Sequence, residues 1–280
     1  MNLFDRLKNI DRRIIFVLIA LSVLIPILIP VRLRIRVSPP AQSLYDAIDQ
    51  LPPGSNVLMA FDYGPSTMPE VYPMTLAILR HAFSKDLKVI AMALWPEGAS
   101  IAQDAFRTVA EDEFHKEYGV DYINLGFKAG GLIVIQAMGT SIPAIFPTDQ
   151  AGRAVEEFPI MEQVENFDDI EIIVDLSAGD PGIRSWVMIA QARYHKKVGA
   201  GCTAVSAPAF YPYLQTGQLV GLLGGLMGAA EYETLVKHPD SATRAMPSQA
   251  LSHAVIIIFI LIGNITFFVE RRRLRREPSA

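Results

Sequence analysis

The sequence predicts an α/β domain, three layers deep around a mainly parallel sheet and flanked by one N-terminal and one C-terminal transmembrane helix. Three observations carry that prediction. Two apolar runs long enough to cross a bilayer stand near the ends of the 280-residue chain. Between them, short apolar runs alternate with longer helical segments. That middle stretch is also acidic: residues 37–250 carry 13 Lys and Arg against 25 Asp and Glu, a net −12 in a chain whose overall charge is −4.

The first apolar run, residues 14–31, holds 18 residues without a charge, enough at about 1.5 Å per residue to cross a hydrocarbon core of about 30 Å. Pro26 and Pro30 remove backbone donors near its end and predict a kink or an early stop. Arg32, Arg34 and Arg36 follow, rather than the small residues of a cleavage site, so the run reads as a retained anchor and not a signal peptide. The second run, 251–269, is interrupted only by Ser252, His253, Asn264 and Thr266 and is followed by five arginines between Arg271 and Arg276. That basic cluster puts the C-terminus in the cytoplasm. Arg6, Lys8, Arg12 and Arg13 favour the same side for the N-terminus, against the three arginines after the first run. The expected layout is a cytoplasmic N-terminus over 1–13, a span over 14–31, an extracytoplasmic domain over 32–250, a span over 251–269 and a basic cytoplasmic tail over 270–280. The lipid bilayer is thus the first partner. The acidic middle repels phosphate backbones, so no nucleic acid is expected there.

Within the middle, a helix over 40–51 is stopped by Pro52-Pro53-Gly54. A buried strand follows over 57–63, then a helix over 69–84 and a strand over 89–95. An amphipathic helix over 99–118 leads to a third strand over 121–125, and 132–138 can be helix or strand. A fourth strand over 170–176 precedes a helix with Asp180 as N-cap and Pro181 at its first position, burying Ile183, Trp186, Val187 and Ala190. A fifth strand over 197–205 and a long helix over 217–236 complete the set. Strands separated by helices pair in parallel through right-handed crossovers, which makes the domain Rossmann-like or flavodoxin-like. The alternation lapses over 147–165, where a division into two lobes is the competing reading. In the last helix Gly217, Gly221, Gly224, Gly225 and Gly228 recur at spacings of four, admitting a second backbone closely, from the domain's own sheet or from another subunit.

Ligands of open α/β sheets bind beyond the carboxyl ends of the strands. Those ends collect Asp62, Tyr63, Ser66 and Thr67 after the first strand, Glu97 after the second, Lys128 after the third, and Asp175 and Ser177 in the fourth. Carboxylates, hydroxyls and a lysine would suit a small polar ligand or an acid–base pair. Asp62, between Phe61 and Tyr63, is the foremost candidate, and Asp175 is either a strand-end ligand or a buried partner of Lys128. The sequence contains no GxSxG, Walker loop, GxGxxG after a strand, HExxH or CxxC, so no cofactor and no metal is expected. Cys202, the one cysteine, reads as a buried inert thiol, Glu111 and His115 as a solvated helix face, and His81, His195 and His238 as histidines without visible partners.

The order of short cytoplasmic start, span, outer α/β domain, span and basic tail is similar to the layout of auxiliary subunits of some bacterial ABC exporters; the likeness is one of topology and transfers no residue. The reading that follows is a non-catalytic extracytoplasmic binding or assembly subunit of a prokaryotic membrane complex, working as a homo-oligomer or with other membrane subunits. The alternative is a membrane-tethered hydrolase or transferase of a small polar or envelope-derived substrate, working through Asp62, Lys128 and Asp175.

Overall fold

The computed structural model describes residues 11–29 and 33–274. They form two units, one over Ile35–Thr243 and one from the flanking segments. In the flanking unit, α1 (Arg12–Leu28) is a 17-residue apolar helix capped by Asp11 and containing Pro26. It ends before the 18 residues expected of the first span, and residues 30–32, with Pro30 and Arg32, lie outside the described set. Of the tail, Arg275 and Arg276 lie outside it as well. Ser22 of α1 lies 3.0 Å from Ser252, and Ser248 donates to the Val23 carbonyl at 3.1 Å. Among the described residues, one helix is long and apolar enough to cross a membrane, residues Ser241–Arg272.

The Ile35–Thr243 unit contains α2 (Pro39–Asp49), α3 (Met68–Ser84), α4 (Gly98–Phe106), α5 (Leu132–Met138), α6 (Ile142–Ile145), α7 (Ile183–Trp186), α8 (Tyr211–Gln215) and α9 (Gly225–Leu235); α10 (Ser241–Leu274) falls mostly in the flanking unit. Six strands, β1 (Asn56–Asp62), β2 (Lys88–Ala93), β3 (Tyr122–Phe127), β4 (Ile172–Ser177), β5 (Lys197–Cys202) and β6 (Gly221–Gly224), make one all-parallel sheet ordered β3-β2-β1-β4-β5-β6. This is the Rossmann-like order, in which the chain reverses direction across the sheet between β1 and β4. The strands are mainly apolar because helices cover both faces; every β1 residue after Asn56 is buried, Asp62 included. One face carries Leu58, Ala60, Ile90, Ile173 and Ala200 into a single core with Trp186 of α7 and Val155, Phe158 and Ile160 of the 147–165 stretch. That irregular stretch therefore belongs to the same core as the sheet.

Three expectations need correction. The helix over 99–118 stops earlier: α4 passes into a π-helical turn, Arg107–Glu113, and His115 takes a left-handed conformation at φ 51°. Asp180 is no N-cap, because the helix starts at Ile183 with Gly182 in the cap position. The helix over 217–236 is instead β6 followed by α9. Gly217 at φ 72° and Gly225 at φ 59° hold backbone shapes that L-residues avoid, and these break the run. Between them, a Cβ on Gly221 would fall 2.5 Å from the Leu44 nitrogen and 2.6 Å from the Pro40 carbonyl oxygen, so α2 packs directly on β6. A Cβ on Gly228 would meet the Leu223 backbone at 2.9 Å.

Candidate functional site

Parallel register aligns Asp62 with Ser177, Asp175 with Ala60 and Ala200, and Ser177 with Cys202. Strand side chains alternate between faces, so Asp62, Asp175, Ser177 and Cys202 share the face covered by α7, at the carboxyl ends of β1, β4 and β5 where the strand order reverses. Asp62 and Asp175 are both fully buried. One Asp62 oxygen accepts the Leu94 backbone N–H at 2.6 Å, and the other accepts the Trp186 indole N–H at 3.1 Å. Asp62 thereby ties the end of β1 to the residue after β2 and to α7.

Among the described residues, neither oxygen of Asp175 finds a hydrogen-bond partner of good geometry. Burial, and then the neighbouring Asp62 charge, raises its pKa well above the usual carboxylate range. Burial raises Asp62 as well, opposed by the Leu94 and Trp186 donors and by Asp175. Two neighbouring carboxyls in a dry core resist ionising together, so near neutral pH the pair favours a single charge. The donors around Asp62 place the charge there and the proton on Asp175. Cys202 lies on the same face; burial, with the charges of Asp175 and Glu70, pushes its thiol up to about 12.

Above this layer the loop after β4 folds over Ser177. Bare Gly182 makes that possible, since a Cβ there would fall 2.5 Å from the Ser177 hydroxyl. Trp95, after β2, donates its indole N–H to the Pro181 carbonyl at 2.9 Å and closes the loop from the other side. Beyond it opens a cleft of about 210 Å³ lined by Ser177, Gly179, Asp180, Arg184, Ser206 and Phe210, among others.

The strand-end candidates thus divide. Asp62, Asp175 and Ser177 come together, and only Ser177 of the three lines the cleft. Tyr63 points through the opposite face and pairs its hydroxyl with Thr75 at 2.7 Å. Ser66 is exposed, and Thr67 donates to the Gly64 carbonyl at 3.1 Å. Glu97 is exposed at the start of α4. Lys128 sits 6.0 Å from the Phe146 ring, and the groups that set the Asp175 proton affinity are Asp62 and Ser177. The three residues of the acid–base alternative do not meet at one open point. Two cleft residues fall outside the strand-end candidates: Arg184, inside α7, and Ser206, in the segment after β5; the indole donor of Trp186 belongs to a residue whose ring alone predicts core. His81, expected without partners, stacks on Tyr45 at 4.2 Å and meets the Tyr232 hydroxyl at 2.8 Å, a buried packing group.

Among the described residues, no cluster of three or more His, Cys, Asp or Glu could hold a metal ion. Comparison of the chain with protein-family models, with curated proteins and with solved structures found no match.

Proposed function

We propose that this protein is a membrane-anchored, extracytoplasmic binding or assembly subunit without catalytic activity, crossing the membrane twice with both ends in the cytoplasm. The carrying observation is the Asp62–Asp175 pair. Both acids of this pair, whose proton affinities are strongly shifted, are fully buried, and Asp62 serves to brace β1, β2 and α7. A general acid or base must reach a proton on the substrate, and these cannot. What faces solvent at the reversal of strand order is a small polar cleft, suited to holding a ligand or a partner's polar group.

The serine contacts between α1 and α10 support two adjacent spans, because hydroxyls hydrogen-bond between helices where lipid offers no partner. Native mass spectrometry of the chain taken from its own membrane tests the binding reading. A mass above 30.9 kDa by a foreign subunit, a second copy or a retained small molecule is expected, and a bare monomer overturns it. Topology is tested with an impermeant maleimide on intact cells. Exposed Ser66→Cys should be labelled while Ser279→Cys is protected, and the reverse pattern overturns the orientation.

A further inference from the structure

A second and larger cavity, about 430 Å³, lies among α2, the segment after β5 and α9, away from the Asp62–Asp175 layer. Its wall on the α9 side is Gly224, Met227, Gly228 and Glu231, residues at spacings of three and four that share one face. Gly224 and Gly228 put bare backbone on this wall, where a Cβ on either would meet neighbouring protein atoms at 2.9 Å. Glu231 is 7% exposed, and one of its oxygens accepts the Ser38 hydroxyl at 2.5 Å. Among the described residues, no donor reaches its other oxygen. Apolar surface of Pro40, Leu222, Tyr211 and Met227 makes up most of the remaining wall. Tyr211 and Met227 stand at its rim, 47% and 43% exposed. Among the described residues, Glu231 is the only charged one lining the cavity.

The carboxylate borders the cavity with a single neutral hydroxyl as its partner, so an entering group of opposite charge would find an acceptor there for a charge-assisted hydrogen bond. An anion would meet repulsion, both from Glu231 and from the net −12 of residues 37–250. We propose that this cavity binds a small organic monocation, an ammonium group bearing an apolar arm. The ammonium pairs with the free oxygen of Glu231, and the arm lies against Leu222, Met227 and the Tyr211 ring. The volume falls within the usual range for small-molecule sites, about 300–1,000 Å³. This inference is independent of the Ser177 cleft and of the subunit reading.

The test uses the full chain in detergent with two probes of matched shape, phenethylamine and the neutral 2-phenylethanol, binding being followed by calorimetry or ligand-observed NMR. The amine should bind saturably and at least tenfold more tightly than the alcohol. Glu231→Gln should erase that preference and leave the alcohol unaffected. Ser38→Ala, which keeps the carboxylate and removes its neutral partner, should retain or tighten amine binding. Met227→Trp, a change at the exposed rim, should weaken both probes by narrowing the cavity. Equal affinity of wild type for both probes, or no saturable amine binding, overturns the proposal. Unchanged amine affinity in a folded Glu231→Gln overturns it too. Should Glu231→Gln fail to fold, loss of amine binding in Ser38→Ala decides against it.

Discussion

Replacing Asp175 by asparagine should make the domain more stable above neutral pH and flatten the dependence of its stability on pH. The native Asp175 pKa is raised by burial and by the Asp62 charge, while an unfolded aspartate ionises near pH 3.9. Between those two values the Asp175 site holds one proton in the folded chain that it has lost in the unfolded chain. Stability then falls with rising pH by about 1.4 kcal/mol per unit. The stabilising contribution is complete below about pH 4 and is lost as pH climbs through the native value. For each pH unit below the native value the Asp175 contribution is thus on the order of 1 kcal/mol, equivalent for a domain of this size to a few °C in Tm. Asparagine matches the protonated carboxyl in shape, can donate to Asp62 and carries nothing to titrate. Thermal unfolding of the full chain in detergent can be read by tryptophan fluorescence, since the Trp186 indole is itself bound to Asp62. The difference in Tm between Asp175→Asn and wild type should widen steadily from pH 5 to 7. Parallel curves over that range would refute a shared proton, and an Asp175→Asn protein less stable at every pH would show that Asp175 is the charged member.

Three further outcomes follow from the same geometry. Trp186→Phe removes a donor to a buried charge and should cost about 2–3 kcal/mol in denaturant unfolding; a loss under about 0.5 kcal/mol would mean that Asp62 does not depend on the indole. Cys202, buried with its thiol pushed up to about 12, should resist a disulfide reagent at pH 8 until the chain is unfolded in guanidinium, and rapid reaction of the native chain would contradict the closed layer. Gly221→Ala drives a Cβ into the α2 backbone and should destabilise by about 3 kcal/mol or more. At Gly217, where space is open and only the positive φ resists, alanine should cost about 1 kcal/mol, and equal losses at the two sites would undo the packing argument.

Most of the sheet could be read from the residues. β1, β2 and β4 are apolar runs bounded by turn residues, and that pattern is what burial between two helical layers requires. β6 escaped because a strand with glycine at both ends has little β preference, and glycines four apart imitate a helical face. The deciding facts, positive φ at Gly217 and Gly225 and the approach of α2 to Gly221, are properties of the backbone path and not of composition. Asp180-Pro181 misled for a similar reason, since a helix cap and a turn use the same two residues. At the site, Asp62 was legible as a carboxylate that no surface would explain. Its partners were not, because Leu94 acts through its backbone and Trp186 is 124 residues away. Glu231 was hidden inside a helix whose start was misplaced.

The two outer strands of the sheet are the places where another chain could add a strand. β6 is only four residues long and pressed by α2, while β3 has its Asn124 carbonyl occupied by the Gln150 N–H at 2.8 Å from the loop beside it. A sheet with a free edge invites another chain to add a strand, a route from a folded domain to a fibre or a swapped dimer. Here one border is too short to template an added strand and the other is already engaged. Neither border offers a long free edge to an added strand, so contact surfaces on this domain are those of its helices and loops, whose use leaves the sheet undisturbed.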